Sequence, residues 1–276
     1  MSKDFFTMND DFSGIIAAAI PDSDFSGARQ ISSGWTNIVF NVPARDAEYI
    51  FRFPRNLFWT QTIEKDVAFA NFIAPYVSIK TPRAKLMRDK FGRPFSAHEK
   101  LPGNCLTEVM AAFSREQTEN AINGIAEYLA ELAAVPIHSL PEICKQKESD
   151  FLADLAKVYE KYHGFDNALL DRPQDVVAHG DLNPGNILTN ADGTIAGIID
   201  YAFAGLSHAI FDLSNIISRC PDDWKKPLAD AYKKSTEKNI DEKLLDEFIN
   251  CRRQVEVGYI KYMKAEMPEI ILPDGF

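Results

Sequence analysis

The chain changes texture near residue 100, and that change constrains its fold more than any other feature. Ahead of it the pattern is largely that of strands. In the run from Glu48 to Phe53, Tyr49, Phe51 and Phe53 alternate with Ile50 and Arg52, the period of two that a strand requires. Ile31 to Val42 reads as the strand before it, with PARDAE as the turn between them. A short apolar helix is expected over Gly14 to Ile20, capped by Ser13 and ended by Pro21. A longer one spans Thr62 to Ile73, where Ile63, Val67, Ala70 and Ile73 recur at helical spacing, and Pro82 returns the chain to an extended form.

From Ser114 onward helices dominate. Ser114 followed by Gln117 forms a capping box, and Ile122, Ile125, Ala126, Leu129 and Ala133 then share one face before Val135-Pro136 stops the helix. Further helices are expected over about Ser149 to His163, Asp223 to Lys234 and Asp241 to Met263. The result is an α+β chain with a small strand-rich unit over residues 1–98 and a larger helical unit over 99–276, joined by a connector near residues 96–104.

One segment interrupts the helical half: VVAHGDLNPGNILTNADGTIAGIID, Val176 to Asp200. Val176 to Ala178 is a short apolar strand, HGDLNPGN a loop of turn formers, Ile187 to Thr189 a brief strand, NADG a hairpin turn, and Thr194 to Ile199 a returning strand. Polar groups at the ends of short strands are held rigidly while still facing a cleft, which is how chemical sites are commonly built.

The side chains in this segment suit phosphoryl transfer. That reaction needs an acceptor hydroxyl set in line, and cations to neutralise charge spread over the phosphoryl oxygens. Magnesium takes oxygen ligands, usually one or two carboxylates together with the donor phosphates. Asp181 opens the loop, Asn186 follows five residues later, and Asp200 ends the hairpin fourteen residues beyond. An Asp in a Gly/Pro-rich loop is by itself most often a turn former; the triple spacing is what points to chemistry.

HGDLNPGN followed by GIIDYAFAG resembles the signature of the aminoglycoside phosphotransferase family, which choline kinases and related small-molecule kinases share in similar form. YIFRFPR resembles that family's third strand and SAHEKLPG its hinge, so the resemblance extends over about residues 28 to 215. It implies a two-lobed protein-kinase-like fold and an enzyme that moves the γ-phosphate of ATP, or alternatively GTP, to a hydroxyl of a small molecule. By the same resemblance Asp181 would be the catalytic base, and Asn186 and Asp200 would hold Mg2+. Ser33, Gly34, Trp35, Thr36 and Asn37 would lie over the phosphates and Arg52 would grip them, with Arg55 in reserve. Asp66 would pair with Arg52, although Glu64 stands nearby and the family uses the longer Glu. Backbone groups at Ala97, His98 and Glu99 would meet the adenine. His179 is expected to be a hydrogen-bonded scaffold residue, and Asn183 a contact to substrate or a turn former. After Asp200 the family often has an Asp where this chain has His208, but Asp212 is retained, to brace the loop or start a helix.

Composition narrows the partners. With 30 Lys and Arg against 40 Asp and Glu, the formal net charge is −10, which disfavours non-specific nucleic-acid binding. The eight acids between Asp222 and Glu247 are interleaved with six lysines, a solvated mixed face and no obvious polycation trap. Cys105, Cys144, Cys220 and Cys251 show no CxxC spacing and read as free thiols of a reducing compartment. Without a signal-like start or a long apolar run, a cytoplasmic protein with no membrane contact is expected. Two other functional classes remain open from sequence: a nucleotide-binding module without catalysis, suggested by Asp66 and His208, and a magnesium-dependent phosphohydrolase.

Overall fold

A computed structural model describes residues 5–31, 36–45, 47–55, 57–145 and 176–266. The helix expected near Ser149 to His163 lies outside the described residues. The amino-terminal part is a five-stranded antiparallel sheet of β1 (Arg29–Ile31), β2 (Asn37–Ala44), β3 (Ala47–Pro54), β4 (Lys85–Arg88) and β5 (Pro94–Glu99), in the order β1-β2-β3-β5-β4. The single strand expected over Ile31 to Val42 is therefore two. Ile31 pairs back on Val39, so the chain reverses between them.

Each face of this sheet has a helix to cover it. Phe51, Phe53, Phe95 and Ala97 pack with Ile38, Phe40 and Val42 against Phe6, Phe12 and Ile16. Phe12 and Ile16 belong to α1 (Phe12–Ala19), which is capped by Asp11, not Ser13: the Asp11 side chain accepts the Gly14 amide at 2.9 Å. The opposite face carries Arg52 beside Ser96 and Ile50 beside His98, directly paired residues that must point the same way. α2 (Leu57–Ile73), five residues longer at its start than the periodicity suggests, lies on this side. Burial of β3 is consequently continuous from Phe51 to Pro54 instead of alternating.

His98 is a buried polar residue on that inner face, as are Arg52 and Ser96. Burial pushes its imidazole down to about 4, and its Nδ1–H donates to the Glu99 carbonyl at 2.9 Å. Unfolded, the ring titrates near 6.5, so the unfolded chain takes up the proton first as pH falls. The stabilising difference is complete above pH 6.5 and is lost towards pH 4, on the order of 3 kcal/mol across that window. His98→Asn should accordingly flatten the pH dependence of urea midpoints between pH 4 and 6.5; an unchanged slope would contradict this account.

The carboxyl-terminal part is built on α4 (Arg115–Ala133), which follows β6 (Asn104–Cys105) and the short α3 (Leu106–Val109). Its start is the expected capping box, with the Gln117 amide donating to Ser114 Oγ at 3.2 Å and the Ser114 amide to Gln117 Oε1 at 2.7 Å. Ile122, Ile125, Ala126, Leu129 and Leu132 are buried, Leu132 taking the place expected for Ala133. Then come β7 (Val176–Ala178), β8 (Ile187–Thr189), β9 (Ile195–Ile198) and β10 (Gly205–Ser207). β6, β8 and β9 form one small sheet, β7 and β10 another. Three helices finish the described chain: α5 (Phe211–Arg219), α6 (Lys225–Thr236) and α7 (Glu242–Glu266). Among the described residues no helix is long and apolar enough to cross a membrane.

Candidate active site

The loop between β7 and β8 is held by main-chain hydrogen bonds and by one buried carboxylate. Asp212, in the first turn of α5, accepts the amides of His179 at 2.6 Å and Gly180 at 2.9 Å. His179 is fully buried; its Nε2–H donates to the Ile199 carbonyl at 3.0 Å and its Nδ1 accepts the Asp181 amide at 3.3 Å. One tautomer satisfies both contacts, so the ring serves as scaffold. Asn183 is likewise occupied at both ends, its Oδ1 taking the Gly185 amide at 2.8 Å and its Nδ2 giving to the Asp181 carbonyl at 3.0 Å. His208, where the family often has Asp, stacks on Phe248 of α7.

Gly180 is fixed by space and by backbone. Its φ is +82°, and a Cβ would stand 2.1 Å from the Phe203 carbonyl oxygen. Gly180→Ala should cost about 3 kcal/mol from the left-handed conformation and the forced displacement together. Denaturant unfolding measures this, and a loss within experimental error would show that the loop relaxes freely.

On this scaffold Asn186 is bonded to Asp181 and, through its carbonyl, to the residue that precedes Asp200. Asn186 Nδ2 donates to the Asp181 carbonyl at 2.9 Å and lies 3.4 Å from Asp181 Oδ2. The Asn186 carbonyl accepts the Ile199 amide at 3.0 Å, which fixes it beside the residue that precedes Asp200. Asp200 itself adopts the left-handed region at φ +67°, a backbone cost that Asp tolerates better than most residues. Strain of this kind is often retained at functional positions.

Arg52 joins the two parts of the chain. Its Nη1 reaches Asp66 Oδ2 at 2.6 Å and its Nη2 reaches Asp200 Oδ1 at 2.8 Å. Burial opposes its charge, but the carboxylates of Asp200 and Asp66 more than offset this and raise its pKa above the ordinary value. Asp66 is also buried, which pushes its carboxyl up against the pull of Arg52; its second oxygen accepts the Tyr201 amide at 2.6 Å. Asp66, though a methylene shorter than the family's Glu, thus reaches Arg52, while Glu64 turns outward to Arg88 at 2.7 Å.

The remaining candidates divide. Ser33, Gly34 and Trp35 lie outside the described residues. Thr36 Oγ1 accepts from Asn37 Nδ2 at 2.8 Å, and Asn37 Oδ1 is buried without a hydrogen-bond donor among the described residues. Arg55 Nε binds the Asn37 carbonyl at 3.2 Å. The Ala97 side chain points into the aromatic core, so only its backbone can serve a ligand. Sequence reasoning missed Arg219, whose Nη1 lies 3.3 Å from Asp181 Oδ1. Nothing in local spacing signals a partner 38 residues away.

A divalent cation is testable against this donor set. Asp181, Asn186 and Asp200 offer only oxygen ligands, two carboxylates and an amide, which suits a hard ion such as Mg2+. Among the described residues nothing donates to Asn186 Oδ1 or to Asp200 Oδ2. No group of three or more His, Cys, Asp or Glu that could hold a metal ion occurs among the described residues, and the set above reaches three oxygen donors only by counting the Asn186 amide.

A protein-family model described as the phosphotransferase enzyme family matches residues 27–247. No curated protein matches the chain in sequence. Among solved structures, the GDP and kanamycin complex of APH(2")-IIia superposes with a TM-score of 0.76 at 20% identity, covering 94% of each chain. ADP-bound aminoglycoside phosphotransferase APH(2'')-Ib gives 0.70 at 14% identity over 94% of this chain and 92% of the other. The apoenzyme of macrolide 2'-phosphotransferase MphH from Brachybacterium faecium gives 0.67 at 18% identity over 91% of both. The two-lobed kinase-like fold is shared by all three.

Proposed function

Because the chain belongs to the phosphotransferase enzyme family, we propose that it transfers the γ-phosphate of ATP, with GTP as the alternative donor, to a hydroxyl of a small molecule. The observation that carries this reading is the Arg52 guanidinium, bound at once to Asp66 on α2 and to Asp200 beyond β9. A cation so held ties the sheet to the catalytic loop and is oriented to meet donor phosphates.

Each part of the chain has a role in this reading. Residues 1–98 would serve as the nucleotide lobe, in which Thr36 and Asn37 would meet the phosphates and the backbone of Ala97, His98 and Glu99 the base. Residues 99–276 form the lobe that carries the catalytic loop and receives the acceptor. Asn186 and Asp200 would hold Mg2+, which when bound neutralises charge on the donor phosphates. Asp181 orients the acceptor hydroxyl and takes its proton. The acceptor oxygen bonds to the γ-phosphorus, the bond to the bridging oxygen breaks, and a nucleoside diphosphate leaves. Acceptor class follows the family's range: an aminoglycoside-like antibiotic, or a metabolite such as an amino alcohol or a sugar. The setting is the cytoplasm, where the donor nucleotide is abundant.

The test is transfer of label from γ-labelled ATP or GTP to a panel of aminoglycosides, macrolides, amino alcohols and sugars, with and without EDTA. The expected result is a labelled product that disappears with EDTA. Nucleotide binding by calorimetry without labelled product or free phosphate would overturn the reading and favour a binding module instead.

A further inference from the structure

α5 faces the catalytic loop with opposite charges at its two ends. Asp212 in the first turn holds the loop's backbone at His179 and Gly180. Arg219, the helix's last residue, holds the loop's carboxylate, Nη1 to Asp181 Oδ1 at 3.3 Å. Positions seven apart lie on one face of a helix, about 10 Å along its axis. The helix dipole favours an anion at the start and a cation at the end, so both ends are electrostatically matched to their residue. Asp181 is thereby gripped from two sides, by Arg219 on Oδ1 and by Asn186 Nδ2 at 3.4 Å from Oδ2.

We infer that Arg219 is a positioning residue for phosphoryl transfer: it fixes the rotation of the Asp181 carboxylate and so sets how well that group meets the acceptor hydroxyl. This rests on the reading of Asp181 given above. Arg219 is only partly exposed, 28% for its side chain, and belongs to the helix that also braces the loop. An acceptor bound at Asp181 therefore meets a carboxylate whose geometry is set before it arrives, the condition under which orientation raises a rate. Arg219 acts through Asp181, so its loss should lower turnover without weakening the nucleotide site, which lies around Arg52.

The experiment is phosphate release from ATP or GTP with Mg2+, water serving as the acceptor, in a double-mutant cycle of Arg219→Gln and Asp181→Ala. Arg219→Gln should lower kcat about tenfold at unchanged nucleotide KM, and Arg219→Lys should recover all but about threefold. Asp181→Ala should lower kcat about a hundredfold, and adding Arg219→Gln to it should change the rate by less than about twofold. Equal effects of Arg219→Gln in both backgrounds, or none in either, would overturn the inference and leave the role of Asp181 standing. An Asp181→Ala variant as fast as the unsubstituted chain would overturn the transfer mechanism itself, and Arg219's role with it. If the glutamine variant melts too low to assay, Arg219→Lys enters the same cycle under the same criterion.

Discussion

Asp200→Ala is expected to lower phosphate transfer by about a thousandfold, because one substitution removes two electrostatic contacts from the same centre. Asp200 Oδ1 binds Arg52 Nη2 at 2.8 Å, and in the mechanism proposed here the same carboxylate would hold the metal. Without it, Arg52 keeps only Asp66, at 2.6 Å, and the cation loses its fixed direction towards the loop. Magnesium-dependent nucleotide binding should weaken in parallel, which calorimetry with and without Mg2+ would read separately from turnover. Asp200→Asn distinguishes the two roles: it keeps an acceptor for Arg52 but loses the negative charge a divalent ion requires. Equal turnover in the alanine variant and the unsubstituted chain would remove Asp200 from the chemistry.

Asp212→Ala should destabilise the protein by about 3–5 kcal/mol, among the largest effects of any single substitution here. Asp212 is 4% exposed, and its carboxylate takes two buried amides at 2.6 and 2.9 Å that alanine would leave without their acceptor. For a chain of this size the loss corresponds to a fall in melting temperature of about 10 °C. Asp212→Asn should recover only part of it, since an amide offers one acceptor oxygen and turns an N–H towards the second donor. Thermal melting of the two variants, each compared with Arg219→Gln, separates bracing of the loop's backbone from positioning of its carboxylate. A melting temperature unchanged in Asp212→Ala would show that the loop holds its own shape.

The sequence was most informative where the structure is local. Asp181 and Asn186 stand five residues apart in one tight loop, and β8 and β9 form a hairpin whose register brings Asp200 back beside it. Turn chemistry and short strands act within about 25 residues, so their spacing can be read directly. The same is true of the Ser114–Gln117 box, whose two hydrogen bonds are made within one helical turn. The family's motif lies in this stretch, which is why the fold and the phosphotransferase family were both legible from it.

What the sequence could not assign depends on packing between distant elements. The Arg52–Asp66 pair follows from the family resemblance, but the second partner of Arg52, Asp200 from 148 residues away, depends on where the end of β9 comes to rest against the sheet. The strand over Ile31 to Val42 became two because pairing, not propensity, decides where a chain reverses. β10 was missed since three residues become a strand only by lying against β7. Arg219 met Asp181 only once α5 had docked against the loop with Asp212 at its other end. Sequence alone brought forward Asp181, Asn186 and Asp200 as candidates for the chemistry, because local geometry is encoded in adjacent residues. Tertiary structure alone decided which charges oppose them, because burial and long-range pairing depend on where whole helices and strands come to rest.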